Sequence, residues 1–132
     1  MGNSVWTMPL ISIVDDDESV REAVGGLLKA LGFETQVFAC ADDFLRSARA
    51  WTTGCVITDV HMPKMSGLEL QARVSQDGHR IPFIFITAFP DDQIRRRALK
   101  EGAVCFLNKP FTEAELVAGI RLALGTRPPQ CS

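Results

Sequence analysis

Cysteines are few in this sequence, and none of them are spaced as a metal-binding motif. Its four cysteines, Cys40, Cys55, Cys105 and Cys131, form no C-x-x-C pair, which argues against a zinc site. Cys55 and Cys105 lie in apolar runs, where a free thiol packs as a small hydrophobic side chain. We therefore expect reduced thiols, as in a cytoplasmic protein, and no disulfide framework.

Long hydrophobic runs and an excess of basic charge are also missing. The longest apolar stretches are too short to cross a bilayer, and the amino terminus does not have the pattern of a secretory signal peptide. The formal net charge of −2 creates no global field that would attract nucleic acid or anionic lipid. Arg95, Arg96, Arg97 and Lys100 are expected to form a solvated helix face. We expect a cytoplasmic domain that by itself binds neither membrane nor nucleic acid.

Glycine-rich phosphate-binding motifs are absent as well. No G-x-G-x-x-G follows the first apolar run and no P-loop occurs, which argues against dinucleotide-binding and P-loop enzymes. The 132 residues, 46% hydrophobic and 23% charged, suit one globular domain with one full core. We assign residues 1–125 to this domain. Residues 126–132, with two consecutive prolines, are predicted to be a tail or the start of a linker.

Apolar strands alternate with amphipathic helices five times along the chain. The predicted strands span residues 10–14, 34–38, 55–58, 83–86 and 104–107. The predicted helices span about residues 20–31, 42–49, a segment ending near 76, 91–102, and 112 onward. Such alternation implies a parallel sheet with helices on both faces.

Local signals refine this assignment. The polar strand 34–38 suggests a sheet edge, and Gly32 before it a helix end. Helix 42–49 is expected to turn Phe44, Leu45 and Ala48 inward. Thr112 and Glu115 have the spacing of a capping box at the start of the last helix.

Five polar side chains fall where predicted strands end. Asp15 and Asp16 follow the first strand, Asp59 the third and Lys109 the fifth, while Thr87 ends the fourth. Open α/β sheets bind ligands at the carboxyl ends of their strands. We therefore expect these residues to form one site.

The charges in this set suggest its chemistry. Three crowded carboxylates repel one another, and a divalent cation with oxygen ligands, Mg²⁺ above all, relieves that repulsion. An ammonium and a hydroxyl add charge stabilisation of the kind that phosphoryl transfer uses. A carboxylate can also act as the covalent nucleophile.

Four motifs in the right order resemble one known family. The chain resembles the receiver domains of two-component response regulators over about residues 9–124. The Met-Pro-x-Met-Ser-Gly loop and the Lys-Pro-Phe ending most resemble the nitrogen-fixation-type branch. The motifs are Val14-Asp15-Asp16-Asp17, Asp59 with Met62-Pro63 and Gly67, Thr87-Ala88, and Lys109-Pro110-Phe111.

The resemblance implies a fold and a metal site. The fold is α/β, a flavodoxin-like (βα)5 doubly wound parallel sheet with strand order 2-1-3-4-5, and the Lys109–Pro110 peptide bond is cis. Asp59 is implied as the phosphoacceptor, and a sensor histidine kinase is implied as the donor of the phosphoryl group. Asp16, Asp59 and the backbone carbonyl of His61 are implied Mg²⁺ ligands, and Asp15 acts mainly through metal-bound water.

The resemblance also implies a switch. Lys109 pairs with Asp59 or its phosphate, and Thr87 moves toward the phosphoryl oxygens. Phe106 stands where the family has an aromatic rotamer switch, so phosphorylation reshapes the face of helix 4, strand 5 and helix 5. A homodimer through that face is a further expectation. His61 and Phe89 are expected to modulate access to the phosphoryl group.

Two alternative functions stay open from the residues. Asp15-x-Asp17-x-Ser19 matches the first motif of haloacid-dehalogenase-type phosphatases, in which Asp15 is the nucleophile. Against this, the acidic pair Asp91-Asp92 precedes Lys109, and the chain is short for that fold. The second alternative is a pseudo-receiver, a binding module that never accepts phosphate. Asp17 is expected to cap a helix and not to join the site. The favoured interpretation is a phosphoacceptor signalling domain and not an enzyme.

Overall fold

A computed structural model describes residues 9–125 of the chain. The predicted tail, residues 126–132, lies outside the described residues, as does Cys131. Within residues 9–125, no helix is long and apolar enough to cross a membrane.

Five strands and five α-helices alternate along the described chain. The strands are β1 (Leu10–Val14), β2 (Glu34–Phe38), β3 (Cys55–Asp59), β4 (Phe83–Thr87) and β5 (Cys105–Asn108). The helices are α1 (Glu18–Ala30), α2 (Ala41–Arg46), α3 (Gly67–Gln76), α4 (Asp92–Lys100) and α5 (Glu113–Gly125). A short 3₁₀ helix, Ala50–Thr52, lies between α2 and β3. The predicted elements are confirmed, with ends that shift by one to a few residues.

The strands form one parallel sheet in the order β2-β1-β3-β4-β5. This confirms both the predicted strand order and the position of the polar strand β2 at an edge. Ile13 pairs with Val37 on one side and with Ile57 on the other, so β1 and β3 are neighbours. Their carboxyl ends therefore lie side by side, which is where the acidic residues follow.

Helices cover both faces of the sheet, and each face has its own core. Below α1 and α5 lies a core that we call the aliphatic face. Its buried members are Ile11, Ile13, Val24, Leu28, Cys55, Ile57, Ile84, Ile86, Leu107, Leu116, Ile120 and Ala123.

The opposite core, below α2, α3 and α4, is called the aromatic face. Its buried members are Val14, Ala41, Phe44, Ala50, Val56, Val60, Leu70, Val74, Phe83, Phe85, Ala98 and Ala103. Phe38 and Phe106 pack against it while partly exposed. Strand β4 contributes alternately to both faces, because successive side chains of a strand point to opposite sides.

The second helix is shorter than predicted. It ends at Arg46, because Ser47 has an extended backbone with ψ 138°. Phe44 is buried as expected, but Ala48 is exposed. Ala50 in the 3₁₀ helix fills the apolar position instead. The hydrophobic spacing alone did not reveal this break, since no glycine or proline marks it.

The helix ends follow the predicted capping chemistry. Asp17 is the N-cap of α1 and accepts a hydrogen bond from the Ser19 N–H, as expected. Thr112 and Glu115 exchange side-chain and backbone hydrogen bonds in a capping box. Gly32 follows α1 with φ +96°, a conformation that glycine adopts at little cost.

Candidate functional site

Three carboxylates meet at the carboxyl ends of β1 and β3. One oxygen from each of Asp15, Asp16 and Asp59 lies within 4.8 Å of the others. Asp15 and Asp59 are buried, whereas Asp16 is exposed. The site therefore opens to solvent on the Asp16 side. This is the clustering predicted from the ends of the strands.

Lys109, in the turn after β5, supplies the balancing positive charge. Its Nζ lies 3.1 Å from Oδ2 of Asp59 and 3.5 Å from Oδ2 of Asp15. Its backbone N–H donates to the carbonyl of Thr87 at 2.7 Å, which fixes the turn beside β4. The Lys109–Pro110 bond is cis, as the resemblance implied. One ammonium thus faces two of the three carboxylates.

Burial and charge shift the pKa values of Asp15 and Lys109. Burial raises the pKa of the Asp15 carboxyl above its ordinary value of 3.8, although the Asp17 N–H and Lys109 act in the opposite direction. Burial by itself would lower the pKa of the Lys109 ammonium. Its hydrogen bond to Asp59 and the nearby Asp15 outweigh burial and raise that pKa. The site therefore keeps its lysine charged at neutral pH.

The loop after β3 holds the Asp59 carboxylate from one side. The His61 N–H donates to Oδ1 of Asp59 at 3.0 Å, so Oδ2 is the oxygen that faces Lys109. Gly67, the first residue of α3, donates its N–H to the Val60 carbonyl at 2.9 Å. A Cβ on Gly67 would lie 2.3 Å from the Asp59 carbonyl oxygen. Only glycine lets α3 start this close to the acidic loop.

The loop after β1 is held by a residue that the sequence did not single out. Nη1 of Arg21, in α1, donates to the Asp15 carbonyl at 2.8 Å. Oδ1 of Asp15 accepts the Asp17 N–H at 2.8 Å. No sequence signal distinguishes this arginine from a solvated one, because its partner is a backbone oxygen six residues away. Arg21 therefore holds the backbone of Asp15, and the Asp17 N–H fixes the direction of its side chain.

Thr87 ends β4 beside the site but is engaged elsewhere. Its hydroxyl accepts the Phe89 N–H at 3.0 Å and lies 3.3 Å from the Phe89 carbonyl, to which it donates. Within residues 9–125, no hydrogen bond joins this hydroxyl to Asp59 or Lys109. Thr87 is fully buried. The structure places it at the predicted sheet edge, in a conformation that bonds its own loop.

Phe106 lies on β5, opposite Phe85 of β4. The two residues pair in register, and their ring centroids are 6.1 Å apart with the planes tilted by 36°. Phe85 is fully buried, whereas Phe106 is partly exposed. Phe106 thus sits at the border between the aromatic face and solvent.

His61 and Phe89 contact each other at the mouth of the site. Their rings meet edge to face with centroids 5.8 Å apart. Phe89 is 69% exposed, the most exposed large hydrophobic side chain among residues 9–125. Both predicted access residues therefore lie on one exposed rim.

Most of the chain matches a known family model. The model for the response regulator receiver domain matches residues 11–121. The chain belongs to this family. It is therefore a signalling domain of a response regulator, and membership does not support the haloacid-dehalogenase alternative.

Relatives with similar sequences carry the same domain. The response regulator protein TodT of Pseudomonas putida is 42% identical over 123 residues, covering 93% of this chain and 54% of its own length. The transcriptional regulatory protein FixJ of Azorhizobium caulinodans is 36% identical over 115 residues, covering 87% of this chain and 54% of its own. The chain spans about half the length of the curated relatives it matches. The likeness to FixJ confirms the predicted nitrogen-fixation-type branch.

Solved structures share the fold. The crystal structure of FixJ-N superposes with a TM-score of 0.82 at 34% identity, covering 90% of this chain and 95% of that one. The structure of the response regulator StyR superposes with a TM-score of 0.83 at 44% identity, covering 89% of this chain and 60% of that one. The predicted flavodoxin-like fold is confirmed.

Proposed function

We propose that Asp59 accepts a phosphoryl group from a phosphohistidine on a sensor histidine kinase, with Mg²⁺ bound beside it. The supporting observation is the joint placement of the Lys109 ammonium at 3.1 Å from Asp59 and of two further carboxylates within 4.8 Å. Family membership supports the same function. The domain is proposed to signal and not to turn over a substrate.

The residues present fit Mg²⁺. Three carboxylate oxygens converge, and one lysine offsets only part of their negative charge. The remaining negative charge lies at an opening to solvent. Asp16 and Asp59 would bind the ion directly with the backbone carbonyl of His61, and Asp15 would act through water. Mg²⁺ prefers such a site, with few carboxylates and room for water and phosphate oxygens. When bound, it would neutralise charge on the phosphoryl oxygens.

The chain's own groups orient the transfer. An oxygen of Asp59 forms a bond to phosphorus while the bond from phosphorus to the kinase's histidine nitrogen breaks and the imidazole leaves. The His61 N–H holds Oδ1 of Asp59, and Lys109 lies against Oδ2. The positive charge of Lys109 stabilises negative charge that develops on the transferred group. Asp15 holds Lys109 near that position.

The response is proposed to run through Thr87 and Phe106. Phosphorylation replaces the single negative charge of the Asp59 carboxylate by a phosphoryl group that carries about −1.5 to −2 next to Lys109. The Thr87 hydroxyl leaves Phe89 for a phosphoryl oxygen, and Phe106 turns into the space vacated beside Phe85. The surface of α4, β5 and α5 changes as a result, and we propose that a homodimer forms there.

Access to the site is proposed to depend on the exposed rim. His61 and Phe89 contact each other beside Asp59, so they limit the approach of water to a phosphoryl group there. The assignment of residues 1–125 to the domain, and a cytoplasmic location, stay predictions.

Phosphotransfer with a mapped product tests the function. The full chain is incubated with acetyl phosphate and Mg²⁺, and the modified residue is mapped by mass spectrometry. We expect one phosphoryl group on Asp59, none on the Asp59→Asn variant, and loss of labelling on chelation of Mg²⁺. Asp91→Asn, an acidic cap outside the site, serves as the matched control and keeps full labelling. A phosphoryl group on Asp15 would refute the proposal in favour of the phosphatase alternative, and no labelling of a folded protein would favour the pseudo-receiver.

A further inference from the structure

Gln71 is a buried amide in α3 that joins two helices. Its side chain is only 5% exposed, and its Nε2 donates to the Ala98 carbonyl of α4 at 3.3 Å. Among residues 9–125, the side-chain oxygen Oε1 of Gln71 has no hydrogen-bond partner. Burying an unpaired polar atom costs stability, and a Leu or Met at this position would avoid the cost. The one hydrogen bond of this side chain, to the Ala98 carbonyl, is therefore what distinguishes glutamine from an apolar residue here.

The acceptor of this bond lies at the joint between α4 and β5. The Ala98 carbonyl also accepts the Ala103 N–H at 2.9 Å, while the Gly102 N–H bonds Leu99. This pair of bonds is a Schellman ending, with Gly102 at φ +106°. Gln71 thus fastens the carboxyl end of α4, which ends at Lys100, five residues before β5 begins at Cys105.

The rest of α4 is weakly held. Ala98 is its one fully buried side chain, and the arginines of its exposed face point to solvent. At the other end, Asp91 caps the helix through its own loop. Ile94, nearer the amino end, packs against the aromatic face while partly exposed. The carboxyl end is the better anchored end, because it has both the buried Ala98 and a side-chain hydrogen bond from Gln71 of another helix.

The amino end of α3 packs directly against the loop that follows Asp59. Gly67 bonds the Val60 carbonyl and leaves no room for a Cβ against the Asp59 carbonyl. Gln71 follows Gly67 by four residues, so both lie on the same side of the helix. One rigid turn of α3 therefore spans the distance from the Asp59 loop to the Ala98 carbonyl.

We propose that Gln71 is a positioning residue that couples the Asp59 loop to α4. Its hydrogen bond holds the carboxyl end of α4 fixed to α3, so that α4 responds to phosphorylation by moving about this end. The inference rests on the proposed function, because it assumes that Asp59 is phosphorylated. It adds a link through α3 to the proposed links through Thr87 and Phe106.

Removing only the hydrogen-bond donor tests this link. Gln71→Met keeps the length of the side chain, and Ala98 keeps its bond from Ala103, so no carbonyl is left unpaired. Gln71→Leu is a second variant of similar volume. Gln36→Met is the matched control, because Gln36 donates to Ser12 on the edge of the sheet away from α4.

Hydrogen exchange of the full chain is measured with and without acetyl phosphate and Mg²⁺. In both unphosphorylated Gln71 variants, we expect the amides of residues 101–103 to exchange roughly threefold to tenfold faster than in the unphosphorylated parent. This is the factor that loss of one neutral hydrogen bond implies. We also expect the phosphorylation-dependent change in α4 to shrink, while Asp59 is labelled at the parent rate. The Gln36 control matches the parent in all three readings.

The outcomes separate this proposal from the proposed function. Unchanged exchange of residues 101–103 in both variants would show that the bond does not hold α4. A phosphorylation-dependent change equal to the parent's, with faster basal exchange, would overturn the coupling. Failure of the parent to become labelled would refute phosphorylation of Asp59 and the coupling with it, while the basal exchange would still decide whether Gln71 holds α4.

Discussion

The two faces of the sheet are packed with different kinds of side chain. On the aliphatic face, every large buried residue is Ile, Leu or Val. On the aromatic face, the largest buried residues are Phe44, Phe83 and Phe85, with small alanines between them. Strand β4 makes the contrast within four residues, since Phe83 and Phe85 point one way and Ile84 and Ile86 the other.

This difference in packing suits a structural role for the aliphatic face and a signalling role for the aromatic face. Branched aliphatic side chains have few rotamers and interlock at crystal-like density. On the aromatic face, by contrast, Phe106 packs at the border of the core and is only partly buried. The helix with one buried side chain, α4, also lies on this face. We therefore expect the aliphatic face to act as the scaffold and the aromatic face to carry the response.

Exchanging two neighbours on β4 should break this arrangement. The double variant Ile84→Phe/Phe85→Ile keeps the composition but puts a ring on the aliphatic face and leaves a void on the other. Overpacking and the void together should lower the free energy of unfolding by about 3 kcal/mol or more. Urea denaturation followed by circular dichroism measures this change.

The control for the exchange is Ile86→Leu, which preserves volume on the aliphatic face. It should cost less than about 1.5 kcal/mol. An exchanged variant as stable as this control would mean that the two faces accept each other's side chains, and the contrast would then have no energetic meaning.

Much of the fold could be predicted from the sequence. The continuous apolar run at Phe83 to Ile86 indicates a strand buried on both sides, and the polar run at Glu34 indicates an edge. The early end of α2 could not be predicted, because Ser47 breaks the helix without a glycine or proline. The assignment of Phe44 and Ala50 to one core also needed the three-dimensional path of the chain.

The charged part of the site was equally predictable, and its supports were not. Asp15, Asp59 and Lys109 follow apolar strands, so the topology of a parallel sheet brings them to one edge. Arg21 and Gln71 act on backbone carbonyls, which exist at every residue and leave no pattern in the sequence. The contact between Gly67 and the Asp59 carbonyl likewise appears only when α3 is placed.

Two glycines, one on each face, test how closely the helices pack against the sheet. A Cβ on Gly67 of α3 would lie 2.3 Å from a backbone oxygen and 3.1 Å from the Phe85 ring. A Cβ on Gly119 of α5 would meet only side chains, Sγ of Cys105 at 3.2 Å and Cδ1 of Ile84 at 3.6 Å. We expect Gly67→Ala to cost about 1–3 kcal/mol of stability and to slow labelling of Asp59, because α3 must move off the acidic loop.

Gly119→Ala is the matched comparison, since Cys105 is able to turn away. It should cost less than about 1 kcal/mol, partly offset by the higher helix propensity of alanine. Urea denaturation and acetyl phosphate labelling measure both variants. Equal costs, or normal labelling of Gly67→Ala, would contradict the claim that α3 is seated on the Asp59 loop.

The smallest expected effect concerns Asp15, which lies at the sheet edge between the two faces. Burial raises its pKa, so the folded state binds a proton more tightly than the unfolded state does, and ionised Asp15 opposes folding above that pKa. Without Mg²⁺ at pH 7, Asp15→Asn should therefore raise the free energy of unfolding. The difference from the parent should shrink as the pH falls through the raised pKa of Asp15. Urea denaturation at several pH values measures it, with the exposed Asp42→Asn as control. A parent that is more stable than Asp15→Asn at neutral pH would show that Lys109 and the Asp17 N–H fully compensate the buried charge, and the site would then not oppose folding.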